Sequence, residues 1–414
     1  MFEKGSIIQY FRQKNGLTQE ELGHGICSKT HLSKIERGLT EVSDETISLL
    51  CARMGFDIDE EINKLKNVEK LLDTLQKQII FQEKERALGI IDQLENQEFS
   101  YITPLHFRYL LLKTRQFIVD NKLEQAKKIL FSKEIQNQKI PQLEENLLNH
   151  TLGIYYIQVN QIHNALDHLK KISIEGYQNL EIHYHLALVY HICDAYVSSY
   201  YHCQKAKEYF VLTNNYSRLL DTETLQLIIL EDESHVDFSE IETKYQNLLE
   251  IAEMIKDKKR EFNLLHNFAY QIYKKGDFVQ AREMYLQAKE AHTTDPIQYL
   301  ISHFGYVRCL VEGSLENNEF ILKLIYEGKS FSKKYKQLYY EYLFYLYELK
   351  IEGNEMAYFE FLEVTLVPYL YEIKYKAFFD LYFEELTQYY LSINSGDKIL
   401  CLLKKYKISI SMGE

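Results

Sequence analysis

Apolar residues recur every three or four positions along most of the chain, the spacing of helices that bury one face. Near the N-terminus Ile7, Ile8 and Phe11 share such a face, and Asn15-Gly16 predicts where that helix ends. Four Pro and 16 Gly are few for 414 residues, which argues against an all-β or a disordered architecture. The chain is therefore predicted to be all-α.

Residues 17–38 predict two short helices joined by a glycine turn. Thr18 stands three residues before Glu21, the spacing of a capping box that begins the first helix. Gly25 then breaks that helix, because glycine tolerates the backbone of a tight turn. Ser28 can cap the second helix, whose polar face would point outward. This arrangement is typical of a helix-turn-helix with an exposed recognition helix.

A further helix is predicted after Ser43, ending at Gly55. The predicted helices share apolar residues that can form one small core: Leu22, Ile26, Leu32, Ile35, Ile47 and Leu50. This core would complete a domain of about 65 residues, a size that folds alone only marginally.

Length and charge change this picture. A chain of 414 residues is too long for one core, so we expect several domains or a repeat array. The net charge of −12 excludes a protein that is basic throughout, whereas residues 1–40 carry six cations and four carboxylates, a net charge of +2. Any nucleic-acid contact is therefore expected from the N-terminal head.

Enzymatic and metal-binding motifs are absent from the sequence. The six cysteines form no C-x-x-C pair, and the 14 histidines show no metal-ligand spacing. Neither a G-x-S-x-G motif nor a phosphate-binding glycine loop occurs. A signal peptide and apolar runs of about 18 residues are also lacking. We expect a cytoplasmic protein that is not an enzyme and holds no cofactor, no metal and no membrane contact.

Downstream of the head, internal similarity predicts helical repeats. Three stretches share a turn, an acidic or amide residue, and then Ala126, Ala165 or Ala281. In the helices before such turns, the small residues Gly153 and Ala187 lie 34 residues apart. Small residues at a helical period near 34 predict stacked helix pairs that approach closely.

The motifs G-L-T-Q-E-E-L-G and L-S-K-I-E-R-G, with the spacing between them, resemble the Xre/Cro-repressor type of DNA-binding domain over residues 5–65. The repeats resemble tetratricopeptide repeats over about residues 68–400, with Tyr or Phe where that family often carries Trp. Together they resemble the peptide-pheromone receptors of Gram-positive bacteria, the family of the Rgg, Rap, NprR, PlcR and PrgX proteins.

This resemblance implies a head of five helices over residues 1–65 and a linker helix over 66–80. It implies a right-handed tetratricopeptide-repeat solenoid over 81–414 for regulation and dimerisation. The family's members are homodimeric, cytoplasmic quorum-sensing transcription regulators. They bind double-stranded operator DNA and are controlled by a short signalling peptide in the concave groove of the repeats.

The family's DNA-contacting positions fall on residues around the second and third helices: Arg12, Gln19, Ser28, Lys29, Thr30, His31, Ser33, Lys34 and Arg37. Base contacts are expected from Lys29, Thr30 and Lys34, and phosphate contacts from Arg12 and Arg37. Gln19 would lie on the DNA backbone, while His31 could equally cover the small core. These roles suit the chemistry of side chains that pair with phosphate or guanine.

The family's peptide-binding positions fall on first helices of the repeats: Arg108, Arg115, His150, Tyr184, Asn263, His266, Asn267 and Tyr270. Asn offers a donor and an acceptor that match a peptide backbone. Arg would bind a carboxylate, and the aromatic residues would form apolar pockets.

Two alternatives stay open at this point. The groove could bind a signalling protein, as in Rap-like members, which would make the head secondary. Alternatively, the regulator could sense redox state through Cys193 and Cys203, or through Cys27 before the recognition helix.

Overall fold

All regular structure in the described part of the chain is helical, as predicted. The computed structural model describes residues 3–136, 142–231, 237–291, 296–373 and 375–406. It divides into two compact units, residues 1–233 and 234–414, and each unit is considered by itself. Among the described helices, none combines the length and the apolar run that a bilayer crossing requires.

The head comprises four short helices and the start of a long one: α1 (Lys4–Lys14), α2 (Gln19–Gly23), α3 (Lys29–Glu36), α4 (Asp44–Arg53) and α5 (Ile58–Phe81). The capping box predicted from Thr18 and Glu21 is confirmed, with both reciprocal hydrogen bonds formed. Ser28 and Ser43 cap α3 and α4 by accepting from backbone N–H groups. Gly25, in the predicted turn, has φ +72°. The local signals therefore mark the helix boundaries correctly.

The predicted core of the head is present. Five of its six residues are buried, and Ile26 is half-buried against them. Leu65 of α5 belongs to the same buried cluster. Because α5 continues without a break to Phe81, the segment predicted as a linker is the second half of a helix whose first half packs on the head.

The remainder of the first unit consists of helices that pack on their neighbours in the chain: α6 (Lys84–Glu95), α7 (Thr103–Val119), α8 (Leu123–Leu130), α9 (Lys133–Gln136), α10 (Gln142–Gln158), α11 (Ile162–Lys170), α12 (Ile182–Ile192), α13 (Tyr196–Leu212) and α14 (Tyr216–Glu231). Alternate helices also touch, α5 with α7, α7 with α10, α10 with α12, and α12 with α14. Contact with the next and the next-but-one helix is the packing pattern of stacked helical repeats.

The second unit repeats this pattern with α15 (Phe238–Met254), α16 (Lys258–Lys274), α17 (Phe278–Ala291), α18 (Pro296–Glu312), α19 (Asn318–Lys334), α20 (Leu338–Ile351), α21 (Glu355–Phe361), α22 (Val367–Glu372), α23 (Lys376–Ser392) and α24 (Gly396–Tyr406). One π-helical turn, Leu362–Leu366, joins α21 to α22. Here α16 touches α18, and α18 touches α20.

The small residues of the repeats lie where helices approach most closely. A Cβ added to Gly153 would come within 2.5 Å of the Leu169 side chain on the paired helix. One added to Gly305 would come within 2.4 Å of the Tyr285 ring. The prediction that small residues permit close helix contacts is confirmed, since any side chain at these positions would push the helices apart.

Candidate DNA and ligand sites

Helix α3 presents its polar side chains to solvent. Lys29, Thr30 and Lys34 are exposed, whereas Leu32 and Ile35 on the opposite face are buried in the head core. The Ser28 hydroxyl accepts from the His31 N–H at 3.2 Å, so this residue fixes the N-terminus of α3. Two lysines and a threonine on one face can contact phosphates and base edges together.

The other residues near α3 that were predicted to contact DNA are either hydrogen-bonded within the head or half-buried. Arg37 is exposed, and its Nε donates to the Ser33 carbonyl at 3.0 Å. His31 and Ser33 are half-buried. Arg53, whose role no local sequence pattern indicates, donates from Nη1 to the Leu22 and His24 carbonyls and so fixes the end of α2.

Arg12 and Gln19, predicted to contact the DNA backbone, instead hold a buried carboxylate. Glu36 is 3% exposed and accepts from Arg12 Nε at 2.5 Å and from Gln19 Nε2 at 2.8 Å. Arg12 Nη1 also donates to the Leu17 carbonyl at 2.7 Å. These bonds correct the prediction for Arg12, because its guanidinium is occupied inside the head where the charge of Glu36 needs a partner.

An ion cluster lies at the centre of the first unit. Glu181 is fully buried, with one carboxylate oxygen bound by Arg115 and the other accepting from Arg218 Nη2 at 3.0 Å. Burial alone would raise the pKa of Glu181, but the two guanidiniums outweigh burial and hold that pKa well below its usual range. Glu181 therefore stays ionised, and Arg218 also pairs with Asp221 at 3.5 Å.

Two histidines complete this cluster. His150 Nε2 lies 3.0 Å from His185 Nδ1, and His150 Nδ1 lies 2.9 Å from the Tyr177 hydroxyl. Burial lowers the pKa of His185 to about 3 and lowers the pKa of His150 as well. His150 and Arg115, which were predicted to bind a peptide, are instead enclosed by the packed repeats, at 0% and 3% exposed.

Ligand atoms of His150, Glu181 and His185 lie within 4.8 Å of one another, as the donors of a metal site would. Their chemistry does not suit a cation. Both Glu181 oxygens are taken by arginines, and the two imidazoles share a hydrogen bond. The two guanidiniums would also repel a metal ion, so we interpret the cluster as a charge network.

A pocket of about 600 Å³ opens beside the cluster in the first unit. Its lining includes Arg108, Tyr177 and Asn179. Arg108 is held by Asp73 at 2.7 Å. The buried Asn179 Nδ2 has no hydrogen-bond partner among the described residues, and neither have Nε and Nη1 of Arg115. Buried donors without partners favour an acceptor-bearing ligand.

The other predicted groove residues are partly accessible. Asn263 is exposed, while Tyr184, His266, Asn267 and Tyr270 are half-buried. Arg218 lies over the Tyr184 ring, with Cζ 4.9 Å from the centroid. His266 stacks on Phe262, and burial lowers its pKa to about 4.

The thiols argue against the redox alternative. All six cysteines are free. Burial raises the pKa of Cys203 to about 12 and also raises the pKa of Cys27. Few thiolates would form there at neutral pH, and the thiolate is the reactive species.

Acidification is expected to destabilise the protein through the buried histidines. The folded pKa of His185 is about 3 against about 6.5 when unfolded, so the unfolded chain binds more protons between these values. The stabilisation is fully present above pH 6.5 and is lost as the pH falls toward 3. From pH 7 to pH 5 we expect a loss of about 2 kcal/mol from His185, with a further loss from His150.

Urea unfolding at pH 7 and pH 5 measures this effect. His185→Gln should show a smaller loss of unfolding free energy on acidification than the wild type. His163→Gln, at an exposed position, should retain the wild-type difference. A His185→Gln variant with the full pH dependence would contradict the assignment.

Comparisons with known proteins agree with this architecture. Residues 8–60 match a helix-turn-helix family model. The transcriptional activator NprA of Geobacillus stearothermophilus is 23% identical over 399 residues, which cover 90% of this chain and 96% of the relative. These matches are to a DNA-binding domain and a transcription regulator, in agreement with the prediction that the chain is not an enzyme.

Solved structures share the fold. The apo form of the quorum sensor NprR from B. thuringiensis has a TM-score of 0.66 at 18% identity, covering 82% of this chain and 98% of that chain. NprR in complex with its cognate peptide NprX has a TM-score of 0.62 at 20% identity, covering 81% and 99%. A Rap protein complexed with competence and sporulation factor has a TM-score of 0.63 at 18% identity, covering 83% and 99%. The chain thus carries a segment that matches a helix-turn-helix model and shares the fold of these solved structures, as its motifs predicted.

Proposed function

We propose that the protein is a cytoplasmic quorum-sensing transcription regulator. It binds operator DNA as a homodimer and is controlled by a short signalling peptide bound to its repeats. The observation that carries the proposal is the exposed cationic face of α3 on a head joined by α5 to repeats that contain unpaired buried donors.

The DNA part of the proposal rests on charge and geometry. Residues 1–40 of the head carry a net charge of +2 in a chain of −12, and Lys29 and Lys34 lie on the exposed face of α3. Two such helices in a dimer would meet successive major grooves about 34 Å apart. Arg37 would add a phosphate contact by releasing the Ser33 carbonyl.

The peptide part rests on polar groups without partners. In the first unit this is the amide nitrogen of Asn179, which lines the pocket. In the second unit Asn263 and Asn267, four residues apart on α16, form no side-chain hydrogen bond with another described residue. A peptide supplies many C=O and N–H groups that can satisfy such side chains. The complex of NprR with its cognate peptide NprX supports this part of the proposal.

Asn263→Ala and Asn267→Ala are each expected to weaken peptide binding by about tenfold, because each removes hydrogen bonds to the peptide backbone. The probes are synthetic peptides of five to eight residues, taken from the C-terminal segment of a short reading frame next to the gene. Isothermal titration calorimetry measures their dissociation constants.

Asn318→Ala is the matched control, since Asn318 is an exposed amide of the same unit on α19. Its dissociation constant should equal that of the wild type. Unchanged binding in both α16 variants would remove this pair from the site. Operator affinity that is the same with and without every peptide would overturn peptide control.

A scaffold that binds a signalling protein is the second candidate, because the Rap structure shares this fold. The two candidates differ in the role of the head. If the peptides change operator affinity, the head is the output and the regulator proposal is supported. If the chain binds no DNA selected from random duplexes, the scaffold is favoured.

A further inference from the structure

The second unit contains a buried cation without a counter-ion. Arg308 on α18 is 7% exposed, and no carboxylate among the described residues lies within ion-pair distance of it. Its Nε has no hydrogen-bond partner. Glu312, one turn farther along α18, pairs with Lys350 at 2.7 Å instead. An unpaired buried charge is costly, so this arrangement calls for an explanation.

Aromatic rings surround the Arg308 guanidinium. Its Cζ lies 3.8 Å from the centroid of the Tyr273 ring, 5.2 Å from that of Tyr270 and 6.0 Å from that of Phe304. Such rings offset part of the cost of burying a cation, because their faces carry partial negative charge. They leave Nε of the guanidinium without a hydrogen-bond partner among the described residues, because an aromatic face is a weak acceptor.

Other unpaired polar atoms occur in the same unit. The Nδ1 of His266 and the hydroxyl of Tyr339 are buried and have no hydrogen-bond partner in the part of the chain that the structure describes. His266 and Arg308 influence one another electrostatically, and so do Tyr339 and Arg308. Three side chains from α16, α18 and α20 thus have open hydrogen-bonding positions around one positive charge.

Helix α16 connects this cation to the accessible amides. Asn263, Asn267 and Tyr270 follow at intervals of four and three residues, the spacing of one helix face. Exposure falls along this row, from the exposed Asn263 to the half-buried Tyr270, whose ring lies against Arg308. A chain bound along the amides would therefore reach the guanidinium with one of its ends or side chains.

We propose that Arg308 binds a carboxylate of a peptide ligand, next to an apolar or aromatic group held by Tyr270 and Tyr273. Carboxylate is the anion whose planar geometry matches the guanidinium fork. It could be the C-terminal group of the peptide or an Asp or Glu side chain. This inference depends on the proposed function at one point only, which is that the carboxylate belongs to a peptide.

Four small probes test the site without knowledge of the natural ligand. N-acetyl-phenylalanine carries a C-terminal carboxylate, and N-acetyl-phenylalaninamide is its neutral match. N-acetyl-Asp-Phe-amide carries only a side-chain carboxylate, and N-acetyl-Asn-Phe-amide is its neutral match. Saturation-transfer NMR titrations of the full chain give the dissociation constants. At least one carboxylate probe is expected to bind about tenfold more tightly than its neutral match. The probe that shows this preference tells whether the site binds a C-terminal or a side-chain carboxylate.

Arg308→Gln should abolish this preference, whereas Arg282→Gln, which removes an arginine paired with Glu283 on α17, should retain it. Arg308→Lys keeps the positive charge but loses the planar pair of N–H donors, so it should retain a smaller preference for the carboxylate probe. This variant replaces Arg308→Gln in the test if Arg308→Gln does not fold. A wild type without any carboxylate preference, or a preference that survives in Arg308→Gln, would overturn the site. Either result would overturn the Arg308 site but not the proposal that a peptide controls operator binding. Conversely, if no peptide changed operator affinity, the preference of Arg308 for a carboxylate would still be measurable.

Discussion

Replacing Lys29 and Lys34 together with alanine is expected to reduce operator affinity at least about thirtyfold, because each contact to a base or phosphate contributes on the order of 1–3 kcal/mol. Both side chains are exposed on α3 and neither makes an ion pair with another described residue. Folding should be unaffected, since the core face of α3 is untouched. Operators selected from random duplexes and fluorescence anisotropy provide the measurement.

The salt dependence of operator binding, together with a control variant, distinguishes direct DNA contacts by these two lysines from a general effect of removing positive charge. If both lysines contact phosphates, the slope of log affinity against log salt should fall by about 2 in the variant. Lys66→Ala with Lys70→Ala removes the same charge from exposed positions of α5 and should keep the wild-type affinity. Equal loss of affinity in both double variants would overturn the recognition-helix assignment.

Glu181→Gln is expected to destabilise the first unit by about 3–5 kcal/mol, because a neutral amide leaves the buried Arg115 guanidinium without a counter-charge and Arg218 with Asp221 alone. Glu181 receives Arg115 on one oxygen and Arg218 on the other, and these residues come from three different helical segments. The loss of the carboxylate therefore loosens the packing between repeats. Urea unfolding followed by circular dichroism at pH 7 measures the change.

The matched control for this variant is an ion pair at the surface. Glu208→Gln breaks the exposed pair between Lys205 and Glu208 and should leave the unfolding midpoint unchanged. Replacing Arg115 and Arg218 with Met in the Glu181→Leu background should restore much of the lost stability, because apolar residues of similar volume can replace a buried ion cluster. A Glu181→Gln variant as stable as the wild type would contradict the role of the cluster.

The head was the most predictable part of the chain. Caps such as Ser28 and the reciprocal pair Thr18–Glu21 act within four residues, so the sequence carries the complete information for them. The burial of Leu32 and Ile35 follows from helical spacing alone. The role of Arg12 was not predictable in this way, because its partner Glu36 lies 24 residues away in the chain.

The predicted peptide-binding residues of the repeats were less predictable than the head. The small residue Gly153 lies at a helix contact, as the repeat spacing predicted, yet His150, which was predicted to bind a peptide, is enclosed by neighbouring repeats. Glu181 and Arg308 had no signal of their own, since charged residues on helices are usually solvated. Their burial depends on which helices pack around them.

The sequence by itself determined the all-α class, the helix-turn-helix and the period of the repeats, because helix caps, apolar spacing and small residues act over a few neighbouring positions. Only the tertiary structure decided which polar groups are satisfied. It committed Arg12 to Glu36 and Arg115 to Glu181, and it left Arg308 without a carboxylate. The physical reason is that pairing and desolvation depend on distances between residues far apart in the chain, which local patterns do not encode.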